Sequence, residues 1–313
     1  MKLIFMGTPE FASTSLLALI ENRFDLLAVV TQPDRPKGRG KILTTSPVKK
    51  IATSHNLPVL QPEKIRHIKD ELADLAPDCI VVVAYGQILT EEILRLPPLG
   101  CVNLHASLLP AYRGASPIQW AIIKGETITG VTTISMDKGM DTGNILLQKK
   151  IPIAAEDTAR SLHDKLAAEG ASLLIETLHA LRDGSITPAP QDHSKASYAP
   201  MLKKSDGLIN WAHSAADIVN LIRGCDPWPS TFTYHGAEMI KIWKAVVSDE
   251  KKTDAPPGTV VKINAHALYI STGEEIVAIL ELQREGKKRQ DVDSFLRGYS
   301  IKTGDKFSLK QTE

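Results

Sequence analysis

The sequence predicts an α/β protein: a Rossmann-like, doubly wound, mostly parallel sheet followed by a small β-barrel. Three observations predict it. Apolar runs at Leu3–Met6, Asp25–Thr31 and Asp78–Ala84 alternate with helical stretches, the signature of strands covered on both faces. Composition then changes near residue 185, where Thr187-Pro188-Ala189-Pro190-Gln191-Asp192-His193-Ser194 reads as a linker. Beyond it, five short β-rich segments separated by turns follow one helix, which suggests a barrel of the OB type. The expected domains are residues 1–203 and 204–313.

Composition sets the bounds. A chain of 313 residues is long enough for two domains or for one large domain with an appendage, and 43% hydrophobic and 23% charged residues fit a soluble globular protein. A net charge of +1 gives no global field, so any polyanion site must be a local patch. Cys79, Cys101 and Cys225 are too few and too scattered for a disulfide framework or a zinc motif, and no metal is expected. The first apolar run ends at Pro9-Glu10, too early for a signal peptide, and no run approaches the roughly 18–20 apolar residues of a membrane span. A reduced, cytoplasmic monomer without a membrane partner is expected.

In chain order, Leu3–Met6 is a buried strand, and Gly7-Thr8-Pro9 turns into a helix through Ile20, with Pro9 suited to its first turn. Asp25–Thr31 completes a β-α-β unit. Gly7 stands alone without Gly-x-Gly-x-x-Gly, which disfavours dinucleotide binding. Residues 31–41 are rich in proline and glycine, predicting no regular structure, and carry Arg35, Lys37, Arg39 and Lys41 against Asp34 alone. Such a loop is either simply solvated or a basic flap over an anionic substrate. Helices follow at Pro47–His55 and Glu63–Leu75, with a short strand near Val59 between them. The apolar strand Asp78–Ala84 then ends at Tyr85-Gly86-Gln87.

The next strand, from Cys101, is interrupted by Asn103 and His105. Residues two apart on a strand share a face, so an amide and an imidazole stand about 7 Å apart on one side, just before a Pro/Gly loop. A helix over Ser116–Lys124 and a strand over Gly130–Met136 follow. The turn Asp137–Gly143 holds two acids; either serves ordinary turn chemistry or reaches back to His105, and spacing does not choose. Thr158–Arg182 is a helix with leucines at helical spacing, closed by Asp183-Gly184. The second domain has a helix at Ser214–Arg223 and strands at Ser230–Tyr234, Ile240–Val247, Thr259–Ile263, Ala267–Ile270 and Glu275–Leu282. Its dense basic run is Arg284, Lys287, Lys288 and Arg289. Trp211, Trp228 and Trp243 are core residues or base-stacking platforms.

An amide donor, an imidazole and a nearby carboxylate can stabilise an oxyanion and move a proton without a covalent intermediate, the services acyl transfer to an amine requires. The pattern Asn-x-His-x-Ser-Leu-Leu-Pro-x-Tyr-Arg-Gly (Asn103–Gly114), with Asp-x-Gly-x-Asp-Thr-Gly (Asp137–Gly143), resembles the tetrahydrofolate-dependent formyltransferases. Phe5–Pro9, Thr31–Pro36 with Gly38-Arg39-Gly40, Val83–Gly86, Gly114–Gln119 and Asp226–Pro229 extend the resemblance over nearly the whole chain. They point to the branch that acts on aminoacyl-tRNA. Ala106 departs from the glycine many relatives carry there.

The resemblance implies transfer of the formyl group of 10-formyltetrahydrofolate to the free amino group of methionyl initiator tRNA, giving N-formylmethionyl-tRNA for translation initiation. It implies that Asn103 and His105 hold the formyl oxygen and that Asp141 orients His105. Ser107, Leu108, Leu109, Pro110, Tyr85, Gly86, Asp137 and Met140 would form the folate cleft. Arg39, with Lys37 and Lys41, would face tRNA, as would Arg284, Lys287 and Lys288 of a tRNA-binding second domain. Two alternatives stay open: a formyltransferase for a small amine such as glycinamide ribonucleotide or an amino sugar, and a non-catalytic RNA-binding protein.

Overall fold

The structure, a computed structural model, describes residues 1–37 and 42–310. It divides into two units. The first is Met1–Pro117, Ile128–Pro152 and His163–Ala199; the second is Ile118–Thr127, Ile153–Leu162 and Pro200 onward. The break thus falls four residues before the expected 204, and the second unit also takes two earlier segments.

The first unit opens with β1 (Lys2–Gly7), α1 (Glu10–Glu21) and β2 (Asp25–Val30). β1 is apolar at every position from Leu3 to Met6, and all four side chains are fully buried. The short strands β3 (Arg35–Lys37) and β4 (Ile42–Thr44) pair antiparallel, which corrects the expectation of irregular chain here. Proline is tolerated because both strands of a two-stranded ribbon are edges. Next come α2 (Pro47–Ser54), capped by Ser46 Oγ on the Lys49 amide at 3.0 Å, and β5 (Val59–Leu60). The helix expected over Glu63–Leu75 is instead a 3₁₀ turn, Ile65–Ile68, running into α3 (Lys69–Asp74). The Gln87 side chain accepts the Ile65 amide at 2.8 Å and ties this segment to the loop after β6 (Cys79–Val83).

After α4 (Glu91–Leu94) comes β7 (Cys101–His105). The helix α5 (Pro117–Ile123) precedes β8 (Ile128–Ser135) and β9 (Asn144–Pro152), and α6 (Ala159–Arg182) follows. The sheet order is β5-β2-β1-β6-β7-β8-β9. Pairing is parallel from β5 through β7 and antiparallel for β7–β8 and β8–β9. The helix α6 packs on β7 and β8. A Cβ at Gly170 would stand 2.9 Å from Leu104, and the hydroxyls of Thr133 and Thr177 meet at 2.8 Å.

In the second unit, α7 (Ala215–Gly224) precedes a largely antiparallel sheet. Its strands are β10 (Thr231–His235), β11 (Glu238–Val247), β12 (Val260–Ile263), β13 (Leu268–Ser271), β14 (Ile276–Arg284), β15 (Gln290–Asp291) and β16 (Phe307–Ser308). The order is β12-β13-β14-β11-β10-β16, with β15 on β14. Backbone bonds from Phe307 to Gly258, Val260 to Asp305 and Gly304 to Val260, at 2.8–2.9 Å, join the two ends of this order and curl the sheet into a barrel. Closure removes the exposed edges. The helix α8 (Val292–Gly298), unanticipated in the sequence, buries Phe295 with Ile240, Ile270, Ile279 and Phe307.

Candidate active site

The site is built around β7. Asn103 and His105 lie on one face of that strand, opposite Ile134 and Thr132 of β8 in the ladder. The β8–β9 turn leaves at Ser135, opposite Val102, yet Asp141 comes within 3.7 Å of His105. The turn therefore folds back along the face that carries Asn103. Gly143 lets it do so: a Cβ there would lie 1.9 Å from the Ser135 carbonyl oxygen.

His105 is buried, and its two nitrogens have different surroundings. Nε2 stands 3.0 Å from the Tyr112 carbonyl, which can only accept, so this nitrogen carries a proton and donates it. Nδ1 faces Asp141 Oδ1 at 3.7 Å, beyond a direct hydrogen bond but inside the reach of charge attraction. Tyr112 (φ 58°) and Asp141 (φ 55°) both hold left-handed backbone, unfavourable for L-residues by roughly 1–2 kcal/mol each. Strain of that kind persists only where surrounding contacts impose it.

Neighbouring side chains and backbone impose it here. Asp141 Oδ2 accepts the Gly114 amide at 2.9 Å. Gln191, nearly buried, donates from Nε2 to the Asp141 and Gly143 carbonyls at 2.8 and 2.7 Å. The segment that reads as a linker in the sequence is thus laced onto the site. Ala189 exchanges backbone bonds with Ile145, and Ser197 and Ala199 bond the backbone of Arg113 at 2.8 and 2.7 Å.

A cavity of about 170 Å³ opens beside β7, lined by Gln87, Ile88, Leu89, Asn103, Ile134, Met136 and residues 137–141. The Asn103 carboxamide faces it and makes no hydrogen bond among the described residues, leaving two N–H donors and an acceptor for a ligand. Asp137, Met140 and Asp141 line the same cavity. Asp137 also closes its own turn, accepting from the Gly139 amide and the Thr142 hydroxyl, whereas Asp141 is the acid that faces His105.

The other expected cleft residues are placed differently. The Tyr85 ring is 2% exposed and packs with Ile4, Met6 and Leu89; its hydroxyl, buried with no hydrogen-bond partner among the described residues, is pushed up to about pKa 12 by burial. Tyr85 and Gly86 leave the lining to the next three residues, Gln87–Leu89, which the sequence reading missed. Ser107, Leu108, Leu109 and Pro110 form the loop after β7 rather than the cavity wall. The Ser107 hydroxyl donates to the Ala111 carbonyl at 2.6 Å, and Thr132 Oγ1 bridges the Ser107 carbonyl and the Leu109 amide at 2.6 and 3.2 Å. Leu108 packs against Gly130.

Of the residues expected to face RNA, Arg39 and Lys41 lie outside the described residues, and Lys37 ends β3. Arg284 is already engaged: its guanidinium makes two 2.8 Å bonds to Glu238 and stacks on Tyr299. Lys287 and Lys288 are exposed in the β14–β15 turn and form no ion pair among the described residues. Trp211 is core, donating to Thr233 at 2.9 Å; Trp243 stacks with Lys241 and Arg289, and Trp228 is half exposed. No cluster of metal-binding side chains occurs among the described residues, and none of their helices is long and apolar enough to cross a membrane.

An amide donor, a histidine and a carboxylate around one cleft, on an open α/β sheet, define an acyl-transfer class of site. The comparisons give it a family. Residues 1–178 match formyl transferase and residues 201–300 match the formyl transferase C-terminal domain, so the chain belongs to the formyl transferase family. It is 50% identical over 306 residues to the methionyl-tRNA formyltransferase of Desulforamulus reducens, covering 97% of this chain and 96% of that one. To the methionyl-tRNA formyltransferase of Desulfotalea psychrophila it is 52% identical, over 96% and 94% of the two chains. Among solved structures it shares the fold of an N-formyltransferase from Helicobacter canadensis, crystallised with folinic acid and dTDP-3-aminofucose. That match has a TM-score of 0.70 at 22% identity, covering 91% of this chain and 99% of the other.

Proposed function

We propose that this chain transfers the formyl group of 10-formyltetrahydrofolate to the free amino group of methionyl initiator tRNA, producing N-formylmethionyl-tRNA for translation initiation in the cytoplasm. The observation that carries the chemistry is the Asn103 carboxamide, without a hydrogen-bond partner among the described residues, held in a cleft with Asp141 and beside His105. The acceptor is carried by near-full-length identity of about half to methionyl-tRNA formyltransferases and by the matching C-terminal domain.

Attack of an amine on a formyl carbon builds negative charge on the formyl oxygen and leaves a proton to be lost from nitrogen. Asn103 supplies N–H donors where that charge grows; such a preorganised donor is worth roughly 10²–10³ in rate. With Nε2 committed to Tyr112, the remaining nitrogen of His105, Nδ1, takes up a proton or holds one toward the oxyanion. Asp141, 3.7 Å away, stabilises the imidazolium that results. The exposed apolar side chains Ile88 and Met140 at the cavity rim offer a surface for the aromatic part of a folate. The α-amino group of an aminoacyl ester is less basic than an alkyl amine, so a strong base is not required.

The test is acceptor choice. The purified protein with 10-formyltetrahydrofolate should formylate methionyl initiator tRNA and leave glycinamide ribonucleotide and amino sugars unmodified. Formylation of the small amines with no transfer to the tRNA would overturn the reading.

A further inference from the structure

We infer that Gln191 is a positioning residue for formyl transfer: its carboxamide holds Asp141 in place against His105. The inference rests on the function proposed above and extends it to the chain after α6, which no catalytic reading uses. The primary amide of Gln191 has two N–H donors and two acceptor lone pairs, and all four are spent on one task. Nε2 donates to the carbonyls of Asp141 and Gly143, gripping both arms of the strained turn. Oε1 accepts from Arg113 Nε at 3.2 Å and Nη2 at 2.6 Å. Arg113 is itself followed by Gly114, whose amide holds the Asp141 carboxylate. The main chain and the side chain of Asp141 are therefore referred to the same two residues, Arg113 and Gly114.

The residue type is informative. Gln191 and Arg113 are 6% and 3% exposed, and among the described residues no carboxylate pairs with that buried guanidinium. Its remaining partner is His193 Nδ1 at 3.0 Å, which must be unprotonated to accept. If this position existed only to satisfy Arg113, glutamate would serve better, because it pairs with a guanidinium bidentately and with full charge. Glutamate cannot donate to the Asp141 and Gly143 carbonyls. Only an amide meets the cation on one side and the two carbonyls on the other.

That asymmetry gives the test. Gln191→Glu, Asp141→Asn and the double variant are compared with wild type for kcat, for KM toward both substrates and for thermal midpoint. Gln191→Met, matched in length and uncharged, gives the same reading if the carboxylate is not tolerated. The expected result is a kcat about 10- to 100-fold lower for Gln191→Glu, the scale of a small misplacement of a catalytic group. Its KM values should stay within about two-fold, and its melting point should fall, because the Asp141 and Gly143 carbonyls lose buried donors and face a carboxylate oxygen, so kcat is compared below the midpoint of every variant. In the Asp141→Asn background the same change should cost no further activity, because the group it positions is already disabled. Wild-type kcat in Gln191→Glu, or a loss that multiplies in full on top of Asp141→Asn, would overturn the inference. A wild-type protein that transfers no formyl group to tRNA would instead overturn the proposed function, so the two failures are distinct.

Discussion

Thr132→Val removes one hydroxyl from beneath the active-site loop while keeping the shape of the side chain. Thr132 is fully buried on β8. Its Oγ1 donates to the Ser107 carbonyl at 2.6 Å and accepts from the Leu109 amide at 3.2 Å and from Gln148 Nε2 at 2.9 Å. Gln148 keeps its 2.8 Å bond to the Leu109 carbonyl after the change, but the Ser107 carbonyl and the Leu109 amide lose this partner inside the protein. A buried polar group left unsatisfied costs about 1–3 kcal/mol, so two cost roughly 2–6 kcal/mol. For a unit of this size each kcal/mol moves the midpoint by about 2–4 °C, and Thr132→Val should melt roughly 4–24 °C early. Thr132→Ser keeps the hydroxyl and loses one methyl, a change of about 1 kcal/mol. Thermal unfolding followed by circular dichroism separates the two. A Thr132→Val protein melting within about 1 °C of wild type, or a serine variant equally damaged, refutes the bridging role.

Gly143→Ala should disrupt the turn that presents Asp141, since its Cβ would meet the Ser135 carbonyl at 1.9 Å and backbone cannot step aside. Formylation should fall at least about ten-fold with a lower melting point, whereas Gly298→Ala, with nothing within 4 Å, should leave both unchanged. Burial pushes the Cys101 and Cys225 thiols up to about 12 and that of Cys79 higher still. The folded protein thus keeps protons that the unfolded chain releases from about pH 8.5, so stability is whole below that pH and falls as pH rises toward 12. Each thiol contributes about 1.4 kcal/mol per pH unit in that window, and Cys101→Ala/Cys225→Ala should flatten the alkaline slope of the melting point. An unchanged slope contradicts the assignment. At pH 8 the native protein should keep full activity after iodoacetamide treatment, because buried thiols at these values are not nucleophiles.

Much of this was legible in the residues, for identifiable reasons. The strands β1, β2 and β6 announce themselves because a strand covered on both faces must be apolar throughout. The pairing of Asn103 with His105 follows from strand alternation alone. The edge strand β9 escaped notice because only Leu146 and Ile151 of its nine residues are buried hydrophobics, with Lys149 and Lys150 facing out. Spacing did not separate Asp137 from Asp141, since the difference lies in how the turn folds back. The wall formed by Gln87–Leu89 was displaced by two residues in the sequence reading, because the left-handed Ala84 (φ 46°) turns the Tyr85 ring into the core. Residues 187–199 carry linker composition and no apolar period. What holds them is backbone pairing and the Gln191–Arg113 contact, and neither leaves a pattern in hydropathy.

The central claim is that Asn103 and His105 act on the formyl group rather than merely filling the sheet. Single-turnover formylation of methionyl initiator tRNA by Asn103→Ala and His105→Ala, measured beside their melting curves, tests it most directly. The account predicts rates lower by roughly 10²–10³ or more in proteins that melt like wild type. Either variant formylating at the wild-type rate while folded would contradict it.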